Sequence, residues 1–244
     1  MDHDNPLTVL PVKKPKEAPS DLNPILLPHA FLLMIVAPPR SGKSNLIINL
    51  ICNSEFYRGK RGAHYFDDIY YLSPTQEFDK TTMNALKMLD NIVQISDVEQ
   101  LMHSDVILKS LQAEQKATPK EERKKILVVF DDMVGMMKRN SEIALLATKY
   151  RHYDLSIIVV AQSYRAIPPL IRNCATGLIS FGLANGKEFE KIHEEVGAGF
   201  PEFETMFKYA TEKRYNFIFM NIEGQKVYHN FDECIYDKDI DQPS

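Results

Sequence analysis

Apolar residues along this chain gather in short unbroken runs, and the runs alternate with stretches whose apolar positions recur at helical spacing. The runs at residues 32–37, 68–73, 91–96, 126–131, 156–162, 177–181 and 215–220 predict strands, with 225–228 fitting a hairpin partner of the last. Several are continuously apolar, the pattern of strands covered on both faces. Helical spacing predicts helices over 43–53, 78–88, 98–115, 141–152, 168–173, 187–196 and 203–209. Alternation of the two argues an α/β fold with a mostly parallel central sheet flanked by helices. No internal repeat interrupts it.

The ends differ from this body. Residues 1–24 carry Pro6, Pro11, Pro15, Pro19 and Pro24 among Lys13, Lys14 and Lys16, which predicts a flexible extended arm. Residues 25–232 form the expected domain and 233–244 a short polar tail. Residues 113–125, with Pro119 at their centre, read as a solvated connection.

Composition narrows the class only modestly. With 244 residues, 44% of them hydrophobic, the chain can bury the core of one ordinary domain. A formal charge of −4 argues against a uniformly basic coat, while leaving room for a basic patch or pore lining. Cys52, Cys174 and Cys234 are widely spaced, supporting neither a disulfide framework nor a zinc site and fitting a reducing, intracellular compartment. The longest apolar runs, about six to eight residues, are far below the roughly 20 of a membrane-spanning helix. The polar, Pro-rich start predicts no signal peptide.

Chemistry enters between the first strand and the first helix. Ala37-Pro38-Pro39-Arg40-Ser41-Gly42-Lys43-Ser44, followed by Asn45, follows one and opens the other. Strand, tight loop ending in Gly-Lys-Ser, then helix is the context that makes a phosphate-binding loop credible. Backbone N–H groups of the loop and helix N-terminus favour an anion. Gly42 lets the backbone approach phosphate without a Cβ, Lys43 brings a point charge to the β- and γ-phosphates of ATP, and the Ser44 hydroxyl suits Mg²⁺. Ala37 stands where a glycine is usual, which requires a negative φ there.

Two later strands end in groups of matching chemistry. Residues 126–131 run into Asp131-Asp132. Asp131 can hold Mg²⁺ through its water shell, because that ion prefers one or two carboxylates and keeps several waters. Asp132 can orient or deprotonate an attacking water. The strand at 156–162 ends in Gln162, an amide able to donate to a phosphate oxygen and accept from water, suited to sensing the γ-phosphate. Parallel strands deliver their C-terminal ends to one edge, where ligands of open α/β sheets bind.

The set formed by Pro39-Arg40-Ser41-Gly42-Lys43-Ser44, Tyr71-Leu72-Ser73-Pro74-Thr75, Val129-Phe130-Asp131-Asp132-Met133 and Tyr150-Arg151-His152 leading into Val160-Ala161-Gln162 resembles the genome-packaging ATPases of poxviruses, other large DNA viruses and virophages, within the FtsK/HerA superfamily. The resemblance covers roughly residues 30–182. It implies a RecA-like P-loop NTPase of the ASCE type, with an extra strand between the phosphate-loop strand and the Asp131 strand. It also implies a homo-oligomeric ring (hexamer or pentamer) threading double-stranded DNA, capsid proteins as partners, and a place in the cytoplasmic factory of an infected cell or in the virion. The acid after the magnesium Asp is often Glu in this superfamily; here Asp132 is one methylene shorter. Such a ring places an Arg against the neighbour's γ-phosphate, worth about 10³–10⁵ in rate; the candidates are Arg151 and Arg172.

Other classes fit less well. A nucleotide-kinase-like phosphotransferase needs an Arg-rich lid, and none follows the loop. A nucleotide-dependent assembly or scaffold protein would use the same loop without DNA movement, but a guanine-selecting Asn/Thr-Lys-x-Asp motif is absent. Arg58, Lys60 and Arg61 form a basic turn open to two readings, solvated loop or DNA-backbone contact. Phe200, Phe203, Phe207 and Tyr209 are expected in the core of a C-terminal helix, and Phe217 and Phe219 in the core from one face of a strand.

Overall fold

The computed structural model describes residues 22–57, 64–75, 79–138 and 140–241. The predicted arm lies outside them up to residue 21, as does the basic turn of Arg58, Lys60 and Arg61.

One nine-stranded sheet organises the chain, in the order β3-β2-β4-β5-β1-β6-β7-β8-β9. Its strands are β1 (Leu32–Val36), β2 (Asp68–Leu72), β3 (Ile92–Ile95), β4 (Ile126–Asp131), β5 (Leu155–Ala161), β6 (Gly177–Phe181), β7 (Phe217–Asn221), β8 (Lys226–His229) and β9 (Glu233–Asp237). From β3 through β6 every neighbouring pair is parallel, and from β6 to β9 every pair is antiparallel. β5 lies between β1 and β4, the inserted strand that the resemblance implied.

The helices are α1 (Lys43–Cys52), α2 (Lys80–Leu86), α3 (Val98–Met102), α4 (Ser104–Ala117), α5 (Glu142–Leu146), α6 (Pro169–Arg172), α7 (Gly186–Glu195), α8 (Phe203–Ala210) and α9 (Lys238–Asp241). Continuous apolar runs are explained by the two cores. Leu32, Met34 and Val36 of β1 enter one, beside Leu108, Leu111, Ile143 and Phe207, while Leu33 and Ile35 enter the other, beside Ile47, Leu50 and Leu86. β4 divides likewise, Val128 and Phe130 to the first and Leu127 and Val129 to the second. With neither face wet, no position in these strands accepts a polar residue cheaply.

Four expectations change. Tyr209, expected in the core of α8, is half exposed, its hydroxyl donating to Glu233 Oε2 at 2.8 Å, because it falls on the outer face of that helix. The helix expected over 98–115 breaks at His103 (φ −102, ψ 19), and Asp97 caps its first piece by accepting from Gln100 N. The helix over 141–152 is the short α5, capped by Ser141, and a separate 3-10 turn at Tyr150–Tyr153 that ends at Asp154 with φ 49. The tail expected to begin at residue 233 is instead a strand: β9 pairs with β8, Tyr236 is buried, and Lys226 Nζ donates to Asp237 Oδ2 at 2.7 Å. An edge strand needs few apolar residues, so its sequence reads as a polar terminus.

Candidate nucleotide site

β1 ends buried at Val36, and the loop that follows reverses the chain into α1. Arg40 (φ 64) and Gly42 (φ 101) are left-handed, which turns successive backbone N–H groups inward as an anion nest. Gly42 is the N-cap of α1; no side chain caps that helix and its first turn carries no acid, so its positive end is unopposed. Ala37 is absent from the positive-φ residues, as its Cβ demands. Ser41 Oγ is buried without a hydrogen-bond partner, an orphan that a phosphate oxygen would satisfy.

β4 brings the carboxylates. Lys43 Nζ donates to Asp131 Oδ1 at 3.0 Å and to Asp132 Oδ2. Consecutive residues of a strand point to opposite faces; Asp132 escapes this because its φ of 55 turns the chain off the sheet, while its N–H still reaches Val160 O at 3.2 Å. Burial alone would lower the Lys43 ammonium, yet Asp131 and Asp132 outweigh it and hold the pKa above its ordinary value. Burial pushes Asp131 up, opposed by Lys43 and by Tyr71, whose hydroxyl donates to Asp131 Oδ2 at 2.7 Å. Burial and then the Asp131 charge drive Tyr71 far above the ordinary tyrosine range, so it stays a donor.

Ser44 is tied to Asp79, the N-cap of α2. Burial would raise the Asp79 pKa, but hydrogen bonds from the Ser44 hydroxyl and from Thr82 hold it low. A carboxylate accepting the Ser44 proton leaves the hydroxyl lone pairs free for a cation. Among the described residues no three His, Cys, Asp or Glu form a metal cage. Ser44, Asp131 and incoming phosphates are a fitting donor set for Mg²⁺, which binds through one or two carboxylates plus substrate oxygens.

A cavity of 360 Å³ opens above the loop, bordered by Pro38, Pro39, Arg40, Gly42, Lys43, Ser44 and Asn45. Gln162, just past β5, reaches its rim and is exposed. Arg214 and Tyr215 close the far side, with the guanidinium 4.7 Å from the ring centroid. Sequence reasoning missed Tyr71, Asp79, Arg214 and Tyr215. Only Tyr71 carried a signal, since it stands in the Tyr-Leu-Ser-Pro-Thr motif; the others arrive from elements distant in sequence.

The two arginines read as trans candidates are not at this edge. Arg151 precedes β5 and is exposed; its Nε donates to Tyr150 Oη at 3.0 Å and its NH2 to Glu223 Oε2 at 2.9 Å. Arg172 is committed within its own chain: its side chain is 8% exposed, Nε lies 3.1 Å from Glu195 Oε2, and the guanidinium sits 5.1 Å from the Tyr164 ring centroid. In this chain Arg172 is therefore buried against Glu195, whereas Arg151 is exposed.

Parallel sheet, inserted β5, phosphate loop and paired carboxylates together define a RecA-like P-loop NTPase. The chain belongs to the Poxvirus A32 protein family, whose model matches residues 23–197. Among solved structures it is similar to the genome packaging NTPase B204 from Sulfolobus turreted icosahedral virus 2 in complex with ATP-gammaS, at 18% identity and TM-score 0.54, over 82% of this chain and 95% of that one. B204 described as the DNA-packaging ATPase from Sulfolobus Turreted Icosahedral Virus matches at 18% identity and TM-score 0.54, over 81% and 95%. ATPases 2 and 3 of EssC from Geobacillus thermodenitrificans match at 16% identity and TM-score 0.51, over 66% of this chain and 34% of that one. These likenesses establish the fold. Comparison with curated proteins gives no significant match. Among the described residues no helix is long and apolar enough to cross a membrane.

Proposed function

We propose that this chain is an ATP-hydrolysing motor that translocates double-stranded DNA, packaging a viral genome into a preformed capsid in the infected cell. The observation that carries the reading is the convergence of Lys43 with Asp131 and Asp132 beside the phosphate loop. Membership of the poxvirus A32 family and likeness to B204, named as a genome packaging NTPase, support it.

In this mechanism the loop N–H groups and the α1 N-terminus bind the phosphates, and Lys43 turns from its carboxylates to the β- and γ-phosphate oxygens. Ser44, oriented by Asp79, and Asp131, oriented by Tyr71, would hold Mg²⁺, which when bound neutralises charge building on the γ-phosphoryl group. Release of Lys43 frees the Asp132 carboxylate to accept a hydrogen bond from the attacking water and take its proton. Gln162 reads the γ-phosphate at the end of β5 and passes its loss to the following segment. An arginine from a neighbouring subunit in a ring completes the site; of the two candidates only Arg151 is solvent-accessible.

The test is ATP hydrolysis by the purified chain with and without linear double-stranded DNA, beside Lys43→Ala and Asp132→Asn. Strong DNA stimulation, lost in both variants, is expected. Turnover indifferent to DNA would sink the translocase reading while leaving the nucleotide site standing.

A further inference from the structure

A second cavity, of 430 Å³, adjoins the phosphate cavity and differs from it in chemistry. The phosphate side presents Arg40, Lys43 and Arg214. The adjoining side presents Phe56, Phe181, Phe217 and Phe231. Gly42, Asn45 and Tyr215 border both. A nucleotide has the same polarity along its length: charged phosphates, a ribose, then an apolar, stackable base.

The aromatic wall is already assembled. Phe231 meets Phe56 at 5.3 Å and Phe217 at 5.1 Å between ring centroids, and Phe181 meets Phe217 at 5.4 Å. These contacts fix the rings before anything binds, lowering the entropy lost on stacking. Tyr215 is 56% exposed and holds a φ of 74, a left-handed conformation that bulky residues rarely adopt. That backbone sets its ring over the loop, where a Cβ built on Gly42 would lie 3.3 Å from Tyr215 Cδ1. The Asn45 side-chain amide, between the two cavities, has no hydrogen-bond partner among the described residues, leaving both donor and acceptor for a ribose hydroxyl or base edge.

We propose that this aromatic cavity is the nucleobase subsite: the purine base of the nucleotide packs against Tyr215 and Phe231, while its phosphates stay on the Lys43 side. The inference rests on the nucleotide-binding part of the proposed function and is independent of DNA movement. It makes the enzyme a reader of the base as well as the phosphates, so that ATP outcompetes a bare phosphate chain.

The experiment measures equilibrium binding of ATP, CTP and inorganic tripolyphosphate to the full chain by calorimetry. Wild type should bind ATP at least about ten-fold more tightly than tripolyphosphate, with CTP between, since one base stack is worth about that factor. Tyr215→Ala should bring the ATP-to-tripolyphosphate affinity ratio down toward one, whatever change the two ligands share, and Tyr215→Phe should restore the ratio. Lys43→Ala should weaken both ligands together. An ATP-to-tripolyphosphate ratio that stays at the wild-type value in Tyr215→Ala and in Phe231→Leu, both folded by circular dichroism, overturns the subsite. Unchanged binding of both ligands by Lys43→Ala overturns the nucleotide site and the subsite with it. Absence of DNA-stimulated turnover leaves these ratios intact and strikes only the motor.

Discussion

Tyr71→Phe isolates one atom of the site. Tyr71 is 1% exposed and its hydroxyl donates to Asp131 Oδ2 at 2.7 Å. Phenylalanine keeps the ring, so no cavity opens and the loss is confined to the hydrogen bond. A hydrogen bond to a charged group is worth about 1.5–3 kcal/mol, and leaving its buried acceptor unpaired costs the fold about 1–3 kcal/mol. The bond favours the ionised carboxylate, so removing it raises the Asp131 pKa further above its ordinary value. Lys43 remains on Oδ1 at 3.0 Å and still favours the charged carboxylate. The assay is kcat/KM for ATP hydrolysis from about pH 5 to 9, with denaturant unfolding alongside. The acid limb should move to higher pH while the alkaline plateau stays within a few fold. A folded Tyr71→Phe enzyme whose acid limb superimposes on the wild type would refute the claim that Tyr71 sets the Asp131 charge.

Further outcomes follow from other contacts. Gly42→Ala forces a Cβ onto a residue at φ 101, within 3.3 Å of Tyr215 Cδ1; it should cost about 1–2 kcal/mol of stability by thermal unfolding and weaken ATP binding more than ten-fold. Arg172→Ala leaves Glu195 with Lys191 and Tyr164 as its remaining partners and should destabilise the fold by about 1–3 kcal/mol, whereas Arg151→Ala, at an exposed pair, should cost less than about 1 kcal/mol. If Arg151 acts in trans, subunits carrying Arg151→Ala mixed with Lys43→Ala subunits should regain hydrolysis; a mixture as dead as its components rejects that role. His29, against Ser156 Oγ at 2.7 Å, has its pKa lowered to about 4, chiefly by burial and then by Lys125, with Asp154 and Asp67 opposing. Neither state binds that proton above about pH 6.5; below it the unfolded chain does first, so stability should fall by up to about 3 kcal/mol as pH drops from 6.5 to 4. His29→Gln should flatten that slope in urea titrations at stepped pH.

The strands were the most legible part of the fold because sheet burial acts residue by residue. Continuous apolar runs at 126–131 and 156–162 mark β4 and β5 to within a residue or two, since any polar substitution there meets a dry face. Edges escape that logic: β9 buries only Tyr236 and Asp237, so its five residues look like a polar terminus. Helix breaks at His103 and after Leu146 carry no Gly or Pro to announce them. Arg172 illustrates the same limit for chemistry, because spacing gave it a free guanidinium and packing gave it Glu195.

Local sequence was enough to specify the phosphate loop, the paired carboxylates and Gln162, because each sits where a strand stops and the backbone demands particular residue types: a φ open only cheaply to glycine, a charge at a helix start, a polar group at a buried strand's exit. Tertiary structure alone decided that Tyr71 would hold Asp131, that Asp79 would hold Ser44, and that Tyr215 and the Phe56–Phe217–Phe231 wall would adjoin the loop. Those partners come from β2, the start of α2, the turn after α1 and the β7–β9 hairpins, most of them distant along the chain. Only the closing of the sheet brings them within hydrogen-bonding or van der Waals reach, where forces of a few ångströms' range can act.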